Sequence, residues 1–320
     1  MTAPSEIPSR RPPARPATRR RDALELETLR GPARLERSPH GHLELQPRPT
    51  PEALATYYRE AFYQQDHASY LSDKQAQRDY WDAIWSIRRE LMEAVLAPTA
   101  RRLLDVGCGG GFLLDHFRTH GWSVTGIEPS PSAVAWARDQ LGLEVVQGEL
   151  LDLEPPGSED PAAFDAIHCA QVLEHVLDPV ACVERIASLL RPGGVAFIEI
   201  PNDFSVLQEV ARARLDKPAW WVAPGIHLNY FDGDSLPRLL ARQGLEEIDR
   251  IASFPMELFL LMGDDYVGRP EVGRTCHAKR MAFETAMIEG GRRETLARLY
   301  RSLAAAGMGR TLGLLVRKEG

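Results

Sequence analysis

Short apolar runs, each followed by a stretch of helical periodicity, give this 320-residue chain its frame. The runs are Leu103 to Val106, a second ending at Glu128, then Val145 to Glu149, Phe164 to Gln171 and Val195 to Ile200. Helices are predicted over Phe112–His120, Pro131–Leu141, Pro179–Leu190 and Gly233–Gln243, with further strands in Leu245–Ser253 and Thr311–Arg317. Strands that alternate with helices at this spacing form a doubly wound α/β sheet covered on both faces. Ligands of such sheets bind beyond the carboxyl ends of the strands. Two insertions, 203–231 and a mostly helical 254–308, can roof that crevice, and substrate choice should reside in them.

Between 51 and 100 the periodicity is helical and aromatic side chains crowd together: Tyr57, Tyr58, Phe62, Tyr63, Tyr70, Tyr80, Trp81 and Trp85. A stripe of this kind is mainly packing.

The chemistry concentrates where the first apolar run turns. Asp105-x-Gly107-x-Gly109-x-Gly111 follows a strand and opens a helix, and Glu128-Pro129 stands about 20 residues on at the tip of the next strand. Glycine is required where backbone turns through positive φ and lies against a ligand. A dinucleotide fingerprint would place glycine or alanine at position 112, and Phe112 there obstructs strand–helix packing and pyrophosphate approach. The spacing instead resembles the first motif of class I S-adenosylmethionine-dependent methyltransferases, and the later segments match that family in order, most closely its ubiquinone-biosynthesis-type group.

That resemblance implies a Rossmann-like seven-stranded sheet whose last strand runs antiparallel between the fifth and sixth. It implies that Asp105 and the loop of Gly107, Gly109 and Gly111 hold the amino-acid end of S-adenosylmethionine, that Glu128, beside Pro129, takes the ribose hydroxyls, and that Glu149 lies near the adenine. Gln171, past the fourth strand, belongs to the same cofactor set. The segment before the first strand would fold over the cofactor as a lid, with Tyr58 and Tyr70 as the tyrosines expected to face the pocket.

Gln171-Val172-Leu173-Glu174-His175 and the later His227 resemble the E-x-x-E-H and H pattern with which ubiquinone-pathway O-methyltransferases and small-RNA 2′-O-methyltransferases arrange a divalent metal. Glutamine at the first position removes one of the charges a hard cation wants, which argues against a metal on Glu174, His175 and His227. Without one, His227 first and His175 second are the candidate general bases for an in-line transfer to a hydroxyl. Asn202 and Asp203 close the fifth strand, and Trp220 and Trp221 read equally as an acceptor platform or a cap on the core. His168, within an apolar strand, reads as a packed core residue.

Composition sorts the remaining possibilities. Residues 1–50 read as a disordered Arg/Pro-rich tail, 51–100 as the helical lid and 101–320 as the catalytic domain. Residues 1–21 hold six arginines against one glutamate, a formal charge of +5 that leaves −12 on the rest of a chain totalling −7. So acidic a body argues against a nucleic-acid partner. No apolar run approaches the ~18 residues a membrane span needs, and four scattered cysteines without C-x-x-C spacing point to a reducing cytoplasm. The expectation is a methyltransferase acting on a small molecule, more at oxygen than at nitrogen or carbon. An RNA 2′-O-methyltransferase and a non-catalytic cofactor-binding scaffold are the alternatives, and the oligomeric state is left open.

Overall fold

The first departure from the sequence reading lies at the N-terminus. The computed structural model describes residues 22–62, 69–153 and 164–319, so the arginine-rich 1–21 segment and Tyr63 lie outside the described residues. Residues 23–46, expected within the disordered tail, instead form three antiparallel strands: β1 (Ala23–Thr28), β2 (Gly31–Arg37) and β3 (Leu43–Gln46). Their low apolar content concealed a period-two pattern. Leu24, Leu26, Ala33, Leu35, Leu43 and Leu45 are all buried on one face, while Glu25, Arg34 and Glu27 face out.

A three-stranded ribbon with one apolar face needs something to lie on. The 203–231 insertion supplies it: Phe204, Trp221, Leu228 and Tyr230 pack into the same cluster. Leu35 is fully buried there. Leu35→Ala should therefore cost about 3 kcal/mol, read as a lowered urea midpoint with unchanged slope.

Three helices follow. These are α1 (Pro51–Glu60), capped by the Thr50 hydroxyl, α2 (Tyr70–Ala76) and α3 (Arg78–Glu93). The aromatic stripe divides between them by role. On α3, Trp85 is buried in the core beside the sheet and Tyr80 against α10 (Pro270–Glu289), whereas α1 and α2 bury no residue fully.

The central sheet comprises β4 (Arg102–Val106), β5 (Ser123–Glu128), β6 (Val145–Gln147), β7 (Phe164–Ala170) and β8 (Leu190–Pro201), then, after the two-residue β9 (Asn229–Tyr230), β10 (Leu245–Ala252) and β11 (Thr311–Lys318). Its order is β10-β11-β8-β7-β4-β5-β6, and β11 alone runs antiparallel to both neighbours. β9 joins β3 and completes the N-terminal sheet as β1-β2-β3-β9.

Helices α4 (Phe112–Thr119), α5 (Pro131–Leu141), α6 (Pro179–Leu189) and α8 (Ser235–Arg242) fall within a few residues of expectation. One boundary is displaced: Leu190 already pairs with Phe164, so β8 begins five residues before Val195 and carries the Pro192-Gly193-Gly194 turn as an irregularity. The two insertions contain α7 (Val206–Leu215), and α9 (Glu257–Leu261), α10 (Pro270–Glu289) and α11 (Arg293–Ala305).

The two sheet faces differ in what they carry. Leu104, Ile167, Ala196 and Leu314 meet α6 and α8 in a wholly apolar layer. On the other face, packed by α3, α4 and α11, Leu103, Ala166 and Phe197 share the layer with Trp85, Phe117 and Tyr300. Asp105 and His168 are paired in register on that second face and are buried nonetheless. Charged residues held in the middle of a sheet need partners.

Candidate active site

The turn after β4 is shaped by its glycines. Gly107 has φ 66°, and a Cβ there would lie 2.6 Å from Cγ2 of Val172; Gly111 has φ 78°, and a Cβ there would lie 2.7 Å from Cδ1 of Leu143. Both conditions exclude a side chain. Gly109, also at positive φ (54°), presents its amide to the next strand. The Glu128 carboxylate accepts from Gly109 N and from Ser130 N, each at 2.9 Å, and is only 4% exposed. It thus ties the glycine turn to the loop through Pro129. Burial pushes the Glu128 carboxyl up to about 7, with the two backbone donors opposing and the Asp105 charge adding to the rise. An ionised carboxylate has about four lone-pair sites, so the clamp leaves roughly two of them unfilled. Glu149 is exposed and opens the 3-10 turn Leu150–Asp152, its amide donating to Asp152.

Beside the turn lies a chamber of about 330 Å³ lined by Asp105, Gly107 and Gln171, together with Tyr70 and Lys74 of α2 and Trp81, Trp85 and Arg88 of α3. Gln171 itself holds a left-handed backbone, φ 58°. A chain of polar contacts crosses the chamber floor. Arg88 donates to both carboxylate oxygens of Glu199 (2.9 and 2.8 Å) and lies 3.0 Å from Nε2 of His168, whose Nδ1 is 2.7 Å from Asp105. Guanidinium can only donate, so His168 accepts at Nε2 and carries its proton at Nδ1, directed at Asp105. His168 is a packed residue, as expected, stacked on Phe197. It also fixes the orientation of Asp105, which the sequence did not suggest.

The second group of predicted residues assembles on the far side of Gln171. Glu174, His175 and His227 bring ligand-capable atoms within 4.8 Å of one another. The two imidazoles meet edge to face at 4.9 Å. His175 lies 3.0 Å from the Ile226 carbonyl through Nδ1, so that nitrogen carries the proton and Nε2 points toward Glu174, 3.7 Å away. Glu174 is completely buried, neither of its carboxylate oxygens has a hydrogen-bond partner among the described residues, and burial pushes it up to about 8. A buried carboxylate left without donors, facing two imidazoles, is a donor set that fits a divalent cation.

Tyr58 packs on the second group. Its ring lies edge to face on His175 at 6.1 Å. Burial, and then the carboxylates of Glu174, Glu128 and Glu149, hold its hydroxyl far above the usual tyrosine range. Tyr70 of α2 lines the chamber, whereas Tyr58 of α1 packs on His175.

The structure also resolves the loop tryptophans. Trp221 is 4% exposed, packs on Phe204 and meets Trp220 edge to face, so the pair caps the N-terminal sheet. Asn202 donates to the Gly309 carbonyl and fixes the end of β8, and Asp203 is buried with no partner for either oxygen among the described residues.

A family model described as a methyltransferase domain matches residues 73–249, just over half of the chain. The chain belongs to the class I S-adenosylmethionine-dependent methyltransferases. S-adenosylmethionine is the cofactor of that family. Among relatives of this methyltransferase, the ubiquinone biosynthesis O-methyltransferase of Xanthomonas axonopodis pv. citri (strain 306) is 39% identical over 123 residues, 38% of this chain and 51% of that protein. The protein of the same name from Paracidovorax citrulli (strain AAC00-1) is 40% identical over 111 residues, 33% of this chain and 47% of that one. The chain thus spans about half the length of the curated relatives it matches. Among solved structures, the 1,6-didemethyltoxoflavin-N1-methyltransferase of Burkholderia thailandensis is 18% identical with TM-score 0.47, covering 90% of this chain and 96% of that one.

Sequence reasoning missed Arg88, Glu199, Lys74 and the α10 residues Arg280 and Glu284, all of which line the chamber. A signal was present for one: Glu199 interrupts the apolar strand Val195–Ile200, as Asp105 and His168 interrupt theirs. The others come from helices whose facing side the sequence alone does not reveal.

Proposed function

We propose that the protein transfers the methyl group of S-adenosylmethionine to a hydroxyl oxygen of a small acceptor. The ribose of S-adenosylmethionine would rest on Glu128, and the amino-acid end of that donor beside Asp105 and the Gly107–Gly111 turn. The observation that carries this reading is the convergence of Glu174, His175 and His227 a few residues past Gln171, which itself lines the chamber with Asp105 and Gly107. The candidate bases therefore stand beside the chamber that would hold the donor, where an in-line transfer needs the acceptor. In this mechanism a crevice histidine would take the hydroxyl proton of the acceptor, and S-adenosylmethionine, held by Asp105, Glu128 and the Gly107–Gly111 turn, would supply the methyl group. His227 is the leading base and His175 the second. The curated relatives named O-methyltransferases support oxygen as the target.

The test is methyl transfer from labelled donor to a panel of catechols and other hydroxylated small molecules. His227→Ala should lose about 100-fold or more in kcat at pH 7 and recover part of it at high pH, where the hydroxyl ionises unaided. Full retention at every pH removes His227 from the base role.

The orphaned carboxylate of Glu174 favours a second reading of the same residues, in which Glu174, His175 and His227 hold a divalent metal. Such an ion would acidify the acceptor hydroxyl. Activity unaffected by chelator, with no metal in the purified protein, refutes it. No described helix is long and apolar enough to cross a membrane. We infer a cytoplasmic protein from the four cysteines, which are free and buried, and a small acceptor rather than RNA from the −12 charge outside the arginine-rich segment.

A further inference from the structure

The turn that presents Glu174 and His175 is held by groups from outside the central sheet. It lies between β7 and α6 in neither helix nor strand, so its carbonyls must find donors elsewhere. The amides of Leu228 and Asn229 donate to the Glu174 carbonyl at 2.7 and 3.1 Å, and the side-chain amide of Asn229 donates to the carbonyls of Leu173 (2.8 Å) and Val176 (2.7 Å). Arg48 completes the set from the link between β3 and α1. One terminal nitrogen of its guanidinium donates to the carbonyls of Leu177 (2.7 Å) and Val176 (3.3 Å), and the other donates to Oδ1 of Asn229 (3.2 Å). A guanidinium can only donate, so it faces the Asn229 oxygen and leaves the Asn229 NH₂ directed at the turn. Asn229 is fully buried, Arg48 is 20% exposed at its side chain, and Glu44 of β3 lies 3.6 Å from the guanidinium.

We propose that Arg48 is a positioning residue for the methyl transfer, acting through Asn229 to hold the 173–177 turn and so to set where Glu174 and His175 stand beside the donor chamber. It has this role only if Glu174, His175 and His227 serve the transfer as proposed. Arg48 grips the backbone of the turn and not its side chains, so losing it displaces the imidazole without altering its chemistry. Nδ1 of His175 reaches the carbonyl of Ile226, in the same segment as Asn229, and the Arg48–Asn229 pair keeps the two ends of that bond together. A shift of about 1 Å in a reacting group can cost on the order of 100-fold in rate. Helix α1 begins at Pro51, just beyond Arg48, and carries Tyr58 onto His175, so the same link places both the turn and the ring packed on its histidine. Arg48 lies outside the 73–249 segment that the family model matches, and the hold on the turn is thus supplied in part by chain that the model does not cover.

Wild type, Arg48→Met and Arg48→Lys, each the full chain with nitrogen-15-labelled histidine, test this. In long-range proton–nitrogen spectra the wild-type His175 signal, assigned by its loss in His175→Ala, shows the single Nδ1–H tautomer. In Arg48→Met it exchanges between tautomers. Arg48→Lys keeps the charge but cannot reach both Asn229 and the turn, so it falls between. S-adenosylhomocysteine binds all three proteins alike in calorimetry, because the variants leave its proposed contacts untouched. With an acceptor from the panel, Arg48→Met loses about tenfold or more in kcat while the KM for the donor holds, and Arg48→Lys recovers part of the loss. A His175 tautomer unmoved in Arg48→Met overturns the proposal. So does S-adenosylhomocysteine binding that falls as far as kcat, the mark of a damaged fold and not of a displaced turn. If Arg48→Met does not fold, Arg48→Lys carries the same comparison. Full kcat in both His175→Ala and His227→Ala refutes the histidine reading instead, a result distinct from a tautomer that ignores Arg48.

Discussion

Glu128→Ala is expected to weaken S-adenosylhomocysteine binding by about 1.5–3 kcal/mol, between one and two orders of magnitude. Two losses combine in it. The ribose loses a charged acceptor, and the amides of Gly109 and Ser130 lose the carboxylate that holds the glycine turn against the next loop. Glu128→Gln separates them. Each carboxylate oxygen faces a backbone donor, so an amide of the same shape must turn its NH₂ toward one N–H. The near-isostere should therefore also bind poorly, although its remaining oxygen can accept. Calorimetry that finds Glu128→Gln equal to wild type would show the clamp to be dispensable.

The same carboxyl sets a pH dependence. Its value of about 7 in the free protein means that it takes up a proton as pH falls through neutrality. Ribose hydroxyls donate best to the ionised form. Affinity should accordingly be flat above about pH 8 and decline below 7, approaching tenfold per unit at lower pH if the bound carboxylate stays ionised. Glu128→Ala should remove that slope.

Arg88→Met is the substitution expected to damage the fold most. Its partner Glu199 is 11% exposed at the side chain and receives both guanidinium bonds, and His168 receives a third. Removing the cation leaves a carboxylate nearly buried without compensation, an effect on the order of 3–5 kcal/mol. Arg88→Lys keeps the charge but cannot reach both oxygens and the imidazole in one plane, so it should fall between. Urea midpoints order the three proteins. A second consequence distinguishes the network from simple packing. With Arg88 gone, His168 is free to exchange tautomers, and its fixed donation to Asp105 is lost. Arg88→Met carrying the double change Glu199→Leu should regain much of the stability without regaining the orientation of Asp105.

The central sheet was readable because its pattern is local. Asp105, Gly107, Gly109, Gly111 and Glu128 lie within one strand–turn–helix–strand unit, where spacing fixes relative position. Glu174 and His175 were likewise placed past the fourth strand by chain order alone. His227 comes from beyond α6 and β8, within the 203–231 insertion, and is brought to them where the amides of Leu228 and Asn229 donate to the Glu174 carbonyl and β9 pairs with β3. The N-terminal sheet was not readable from composition: its six inward apolar residues are too few to fold alone and become a core only against Phe204, Trp221 and Tyr230. Lys74, Arg88 and Arg280 belong to the same class, since a cation on an amphipathic helix looks solvated until the opposite wall is known.

By itself, then, the amino-acid order determined the doubly wound sheet, the cofactor class and the residues at the strand tips. These follow from period, glycine placement and neighbours close in the chain, which act before distant segments meet. Tertiary structure decided which charges are buried together, where the N-terminal strands dock and which cations line the chamber. Those outcomes depend on side chains far apart in sequence being brought into low dielectric at short range, where pairing, or its absence, carries most of the energy.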